Sequence, residues 1–284
     1  MKIEFTADIK GNFSHGHSVS GFVYNNYSIP FHTHNFYEIN VVLSGSGTHC
    51  IENGKFTVSA GDVFVIPPYV AHAYKNTRNL DVYHLLIKPS FLADNRAEST
   101  EVKGFLEFTE IEPFLRGNFD NAMFLHLDRA EFKRFTLERE IIDDDGKYDW
   151  QTYHAMKYHA VLSLLYRFSG LLAAQFNSPG HRKEHKYESR ILKTLETIHS
   201  RYPEKLSVEG LCGEVYLSRS TFLRAFKEIC GTSPIDYLCR YRTSRAREMI
   251  AMGTGKTETA YACGFYDLSH LERALKKYPT VFYE

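Results

Sequence analysis

A two-helix pattern occurs twice in the last third of this 284-residue chain, and no other feature restricts its possible folds so strongly. In residues 207–230, Ser207 is set to N-cap a short helix and Ser218 a second one. A serine hydroxyl at that position accepts a helix N–H that would otherwise have no partner. Leu211 and Val215, four apart, face one side of the first helix. Phe222, Leu223 and Phe226 form the inner face of the second. That leaves Arg219, Ser220, Thr221, Arg224 and Lys227 facing outward. Gly231 suits the helix end, and Pro234 follows it. One such hairpin alone is most simply an amphipathic pair with a solvated, charged face.

The second copy changes that balance. Residues 256–263 predict a short helix ended by Gly264, with Phe265 and Tyr266 in the turn. Asp267 is the expected N-cap of a helix over 268–278. Leu271, Leu275 and Tyr278 then face inward. Leu268, His270, Arg273 and Lys277 are the expected contact set of this second unit. Between the units, residues 235–252 read as one connecting helix, with Tyr237, Tyr241, Ala246, Met249 and Ile250 among its apolar positions. A repeated helix pair around one helix is hard to obtain by accident. Two such units side by side can lay two helices into successive major grooves of DNA.

The C-terminal hundred residues resemble the AraC/XylS family of transcription activators. The resemblance lies in Leu217 to Lys227, in Gly231 to Pro234, in Tyr237-Leu238, in Arg242, Ala246 and Arg247, and in Ala260 to His270 with Arg273. These recur in order, at the family's spacing, over about 70 residues. The resemblance implies two helix-turn-helix units joined by a helix, bound to adjacent major-groove segments. There are departures. Thr257 and Thr259 stand where the family usually has isoleucines, and Leu271 and Leu275 where phenylalanine is common. After Tyr278 the usual Gly-x-Ser/Thr-Pro continuation is replaced by Pro-Thr-Val-Phe-Tyr-Glu. Gly213 inside the first helix costs roughly 1 kcal/mol against alanine. The expectation is a second unit that is less stable, or binds more weakly, than the first.

The N-terminal half follows a different period. Residues 21–88 are short runs rich in Val, Ile, Phe, Tyr and Thr: 39–43, 47–51, 55–58, 63–66 and 82–87. Asn53-Gly54 between two of them is a hairpin signal. Regular strands without helices between them predict a small antiparallel barrel or double-sheet roll. Within it stand His32, His34 and Glu38, with Gly45 seven residues after the glutamate. Gly61-Asp62 and Pro67, then His72 and Asn76, follow. This spacing resembles the two sequence motifs of the cupin fold, with Tyr69 where the second motif normally has glycine. His32 and His34 alternate on one strand and share a face. Glu38 joins them if the strand stays regular, and His72 is expected from a facing strand. Three imidazoles and one carboxylate suit a borderline divalent metal such as Zn, Fe, Mn or Ni. The same residues, with Tyr69, suit the lining of an effector pocket in the barrel mouth. Both readings stay open.

Residues 100–177 turn helical. Residues 130–142 carry Phe132, Phe135, Leu137 and Ile141, and residues 153–176 carry a dense run from Val161 to Leu172. Lys157, His159, Arg167 and Ser169 interrupt that run, so it is not a membrane span. Packing against the barrel accounts for part of it. The resemblance implies the rest, since related regulators dimerise through helices that follow the barrel. Residues 143–147 are an acidic loop without EF-hand spacing, expected to be solvated. Residues 178–187 are polar, contain Pro-Gly and read as a linker. The expected plan is therefore a two-domain chain. Residues 1–177 form an all-β cupin-like barrel with following helices, for effector binding and dimerisation. Residues 188–284 form an all-α double helix-turn-helix domain.

Charge agrees with this division. Residues 1–177 hold 16 Lys/Arg against 21 Asp/Glu, and residues 178–284 hold 18 against 13. A basic half beside an acidic one suits nucleic-acid binding by the former. The five cysteines form no Cys-x-x-Cys pair, and the first residues have no apolar stretch. No nucleophile–base pattern, phosphate loop or dinucleotide fingerprint is present. These features lead to the expectation of a cytoplasmic protein that is not an enzyme, and the resemblance implies a homodimer. It would bind double-stranded DNA and a small-molecule effector, and RNA polymerase if it activates. The resemblance makes a saccharide the leading effector class. The competing expectation is a metal-dependent cupin enzyme with a helical C-terminal domain.

Overall fold

The computed structural model describes residues 4–7, 13, 17–51, 54–68, 70–116, 125–143, 148–176 and 186–278. They fall into two compact units, residues 4–176 and residues 186–278.

The first unit is built on one eight-stranded sheet. Its strands are β1 (Glu4–Ala7), β2 (Val19–Tyr24), β3 (Ile29–His34), β4 (Tyr37–Ile51), β5 (Gly54–Ser59), β6 (Asp62–Ile66), β7 (His72–Ile87) and β8 (Leu125–His126). All neighbours are antiparallel except β1 and β3. The separate runs 39–43 and 47–51 are one long strand. The register between β4 and β7 shifts three times between Val42 and Thr48. Gly45, at φ 73°, enables that bend, because a Cβ there would lie 2.1 Å from the Asn79 carbonyl oxygen. Such bulges turn one strand from sheet pairing at one end to closure at the other. Tyr27, Val42, Val58, Phe64, Ile66, Tyr74, Leu80 and Val82 form the core that closes around the sheet's inner face.

Helices α1 (Pro89–Asp94) and α2 (Arg96–Ser99), a π-helical turn (Glu107–Ile111) and α3 (Glu112–Leu115) follow the barrel. They are succeeded by α4 (Arg129–Asp143) and α5 (Trp150–Phe176). Phe135 of α4 and Val161, Leu164, Leu165, Phe168 and Leu172 of α5 are buried, so most of the apolar run is core. Asp143 is not simply solvated. It accepts the Tyr83 hydroxyl at 2.7 Å, and burial raises its carboxyl above the ordinary range despite that bond. Trp150 opens α5, stacked on His154 at 5.1 Å between ring centres.

The second unit is all helical: α6 (Glu188–Arg201), α7 (Val208–Glu214), α8 (Arg219–Cys230), α9 (Pro234–Ala251), α10 (Lys256–Ala262) and α11 (Leu268–Lys277). The expected caps form. Ser207 accepts the Gly210 N–H at 3.0 Å, Ser218 that of Thr221 at 3.4 Å, and Asp267 that of His270 at 2.7 Å. Gly231 ends α8 in the left-handed region at φ 68°. Ser233 then caps α9, whose first residue is Pro234, a position where the missing N–H costs nothing. Gly213 lies next to the end of α7, where its penalty is small. The free cysteines of this unit are core filler, except for half-buried Cys239. Among the described residues, no helix is long and apolar enough to cross a membrane.

Candidate effector site and nucleic-acid interface

The barrel interior is polar at its centre. His32 and His34 share β3, but the chain turns before Tyr37, and Glu38 belongs to β4 rather than to the same strand. His72 comes from β7, which is hydrogen-bonded to β3 rather than facing it. His32 and His72 are register partners with rings 4.1 Å apart. The donor atoms of His34, Glu38 and His72 lie within 4.8 Å of one another, and His32 is outside that set. Of the four expected residues, the structure brings three together in this way. Tyr69 lies outside the described residues.

Each of these imidazoles is held by a backbone carbonyl. His32 Nδ1 donates to Pro30 O at 3.0 Å, His34 Nδ1 to Phe36 O at 2.7 Å and His72 Nδ1 to Val70 O at 3.0 Å. A carbonyl only accepts, so each Nδ1 carries a proton and Nε2 is the ring nitrogen left for another partner. His72 Nε2 is buried without a hydrogen-bond partner, and His34 Nε2 lies 3.3 Å from Glu38 Oε2. Burial pushes the His72 imidazole well below its usual range, aided by the neighbouring His32 and opposed by Glu38. It is therefore neutral at physiological pH. Burial would raise the Glu38 carboxyl, but His84 and His34 hold it well below the carboxylate range. Two imidazole Nε2 atoms and one carboxylate brought this close are a donor set that suits a borderline divalent cation. His34, Glu38 and His72 would hold it, and it would supply a Lewis-acid contact for an oxygen ligand.

Residues unforeseen in the sequence complete the interior. His84 Nδ1 donates to Glu38 Oε1 at 2.8 Å, and its Nε2 has no partner. Asn40, the register partner of His84, leaves both amide atoms unpartnered. His49 Nε2 and the Tyr74 hydroxyl are likewise buried and unpartnered, with their rings 4.9 Å apart. Tyr27 packs edge-on to His84 at 4.6 Å and against Tyr74 at 5.0 Å. A signal for Asn40 existed, because it lies two residues from Glu38 and so shares its face. His49 gave no such signal, since the bulges near Gly45 shift its parity.

On the helical unit, Arg219, Ser220, Arg224 and Lys227 are exposed on α8 as expected. Arg219 Nε pairs with Glu209 Oε1 at 2.9 Å. Thr221 is half-buried and accepts the Ser218 hydroxyl, so it belongs to the cap. In the second unit Arg273 and Lys277 are exposed as expected. Leu268 packs against the apolar cluster of Ala246, Phe265 and Leu271. The His270 ring meets Phe265 edge-on at 5.2 Å, and Lys277 pairs with Asp236 at 3.1 Å. Helix-face counting from the sequence places His270 outward with Arg273 and Lys277, but the turn at 264–266 half-covers it.

A barrel with a polar interior and two capped helix-turn-helix units define a ligand-controlled DNA-binding protein. Comparison with known proteins agrees. Residues 19–131 match the AraC-like ligand binding domain family, and residues 211–279 the helix-turn-helix domain family. The chain is similar to the HTH-type transcriptional activator RhaS of Enterobacter sp. (strain 638), 24% identical over 251 residues, which are 88% of this chain and 84% of that protein. It is also similar to RhaS of Escherichia coli (strain K12 / DH10B), 25% identical over 255 residues, with 87% and 84% covered. Among solved structures, ToxT from Vibrio cholerae O395 covers 91% of this chain and 93% of its own, at 13% identity and a TM-score of 0.40. The chain belongs to the AraC/XylS family and is a sequence-specific transcription regulator controlled by a small-molecule effector.

Proposed function

We propose that this regulator senses an uncharged, hydroxyl-rich small molecule, a saccharide, inside its barrel and activates transcription in response. The observation that carries this reading is the set of unpartnered buried atoms: Asn40 Nδ2 and Oδ1, His49 Nε2, Tyr74 OH and His84 Nε2. Buried polar groups without partners cost about 1–3 kcal/mol each, so a site that keeps several is built to receive donors and acceptors. Tyr27, Phe64 and Tyr74 offer aromatic faces beside them. A divalent cation on His34, Glu38 and His72 is a compatible second occupant, and the close approach of their donor atoms and the unpartnered His72 Nε2 favour it. The relatives are transcription regulators, which supports a sensing role for such a cation over catalysis by a metal-dependent enzyme. The domain plan of residues 1–177, 178–187 and 188–284 fits this division of labour.

In this reading the protein is a cytoplasmic homodimer. Leu137 and Ile141, one turn apart on α4, are exposed and suit a second copy as the covering surface. Arg219 and Arg224 read base edges or phosphates, and RNA polymerase is the partner of activation. Effector binding shifts the population between arrangements that present the DNA units differently.

The test is a panel of monosaccharides and divalent metals, read by thermal unfolding and by affinity for DNA. A cognate ligand at 100 times its Kd raises stability by about 2.7 kcal/mol. That gain is expected to vanish in Asn40→Leu and His49→Phe for a saccharide, and in His34→Ala for a metal. A panel that moves neither readout overturns the assignment of the barrel site.

A further inference from the structure

The carboxylate of Asp236 sits where three helices end or begin. It is in the first turn of α9, whose N-cap is Ser233. Its Oδ2 accepts the Thr232 hydroxyl at 2.9 Å, just past the end of α8, and Arg240 Nε at 2.7 Å. Its Oδ1 accepts Lys277 Nζ at 3.1 Å and the Tyr278 hydroxyl at 2.7 Å, at the end of α11, 42 residues away in the chain. The Tyr278 ring lies between two cations, with Arg240 Cζ 5.1 Å and Lys277 Nζ 4.8 Å from its centre. An aspartate serving only the dipole of α9 would need none of these partners. Asp236 instead satisfies four donors from both helix-turn-helix units with one charge. Burial would raise this carboxyl, yet Tyr278, Arg240, Thr232 and Lys277 hold it well below the ordinary range. Arg247 reinforces the same joint, donating to Leu275 O at 3.1 Å and to Tyr278 O.

We propose that Asp236 is a positioning residue that locks the end of the second reading helix, α11, to the end of the first, α8, and so sets the spacing of the two DNA segments read together. Two modules on one rigid joint present the second to its groove at high effective concentration, and that gain exists only at the matching geometry. Inserting one base pair between the segments moves them by about 3.4 Å and rotates them by about 35°. A rigid joint cannot follow that change, and a loosened one can. The proposal rests on the two-groove mode of DNA binding, so its test must separate the two.

The probe is a duplex selected from a random pool by the full-length protein, used with and without one base pair inserted between its two protected segments. The natural protein is expected to lose about tenfold or more in affinity on insertion. Asp236→Ala is expected to bind the uninserted duplex about tenfold more weakly, yet lose less than about threefold on insertion. Should that variant fail to fold, the double change Lys277→Gln with Tyr278→Phe removes the far side of the lock and leaves α9 intact. A merely destabilised protein would weaken on both duplexes and keep the natural spacing dependence. That outcome overturns the proposal, as does a natural protein indifferent to the insertion. Arg224→Ala, on the outward face of α8, is expected to weaken both duplexes equally. No effect of Arg224→Ala would mean that the mode of DNA reading is wrong, not the lock.

Discussion

In the first helix-turn-helix unit the turn passes through Tyr216 at φ 53°, and in the second it passes through Gly264 at φ 76°. The hydrogen bonds around these two residues are the same. Tyr216 N–H donates to Gly213 O at 3.1 Å and Gly264 N–H to Tyr261 O at 3.0 Å. The next residues, Leu217 and Phe265, donate to Cys212 O and Ala260 O. Each turn is also held by an arginine. Arg190 donates to the carbonyls of Val215 and Tyr216, and Arg242 to those of Tyr202 and Glu204, the loop that backs Gly264. After that the units diverge, because the second has one more residue, Tyr266, before its N-cap. Their cores diverge as well. Phe222, Phe226, Ile229, Leu211 and Val215 fill the first. Ala246, Ala260, Cys263, Ala274, Phe265 and Leu271 are the fully buried part of the second, with Met249, Ile250, Leu268 and Leu275 packed half-buried against them. Small side chains bury fewer methylenes, each worth about 0.8 kcal/mol. The first unit therefore carries backbone strain inside a large core, and the second has a relaxed backbone around a lean one.

The sharpest way to break this comparison is Gly264→Ala. A Cβ there would lie 2.5 Å from Pro203 O and 2.9 Å from Arg242 Nη2, on a left-handed backbone. Neither the carbonyl nor the clamped guanidinium can yield cheaply. The expected cost is about 2–4 kcal/mol, read as a fall in the unfolding midpoint and a loss of amide protection over residues 256–278 first. A change below about 1 kcal/mol would mean that the second turn is not rigid.

A smaller effect, of opposite sign, is expected from Thr259→Val. Thr259 is fully buried, and its hydroxyl has no partner. The substitution keeps the shape and removes the unsatisfied oxygen. It should stabilise the protein by about 1–2 kcal/mol and slow amide exchange in α10 and α11. Destabilisation instead would reveal that the hydroxyl is satisfied in solution and that the second core is not deficient there. Thr257, the other threonine expected to thin this core, is exposed and has no such effect.

How much of this was legible in the sequence follows from range. Caps are local, so Ser207, Ser218 and Asp267 could be read from three-residue spacings. Helix faces are local too, and they gave Phe222, Phe226 and Leu271 correctly. What one helix does to another is not local. His270 reads as outward because nothing in its own helix covers it, while Phe265 does so from elsewhere in the chain. The barrel repeats the lesson. His34, Glu38 and His72 were legible through motif spacing, but Glu38 reaches His34 across a turn, not along a strand. His32 lies outside that trio, because two-residue alternation fixes a face and not a distance. His49 and His84 join the site only through the pairing of β4 with β7, whose bulges no single-strand period encodes.

The smallest expected effect bears on the strain itself. Tyr216 is 90% exposed, so replacing its side chain by hydrogen forfeits little buried area. The left-handed backbone costs a non-glycine residue about 1–2 kcal/mol, and Tyr216→Gly removes that. Against it stands the greater freedom of glycine in the unfolded chain, about 0.4–1 kcal/mol. The net gain in stability should fall between zero and about 1.6 kcal/mol, with α7 and α8 otherwise unchanged. Arg190 contacts only the carbonyls of 215 and 216, so its clamp survives the substitution. Loss of stability beyond about 1 kcal/mol would show that the tyrosine ring makes a contact worth more than the strain it imposes, and the two turns would then differ in packing, not only in residue.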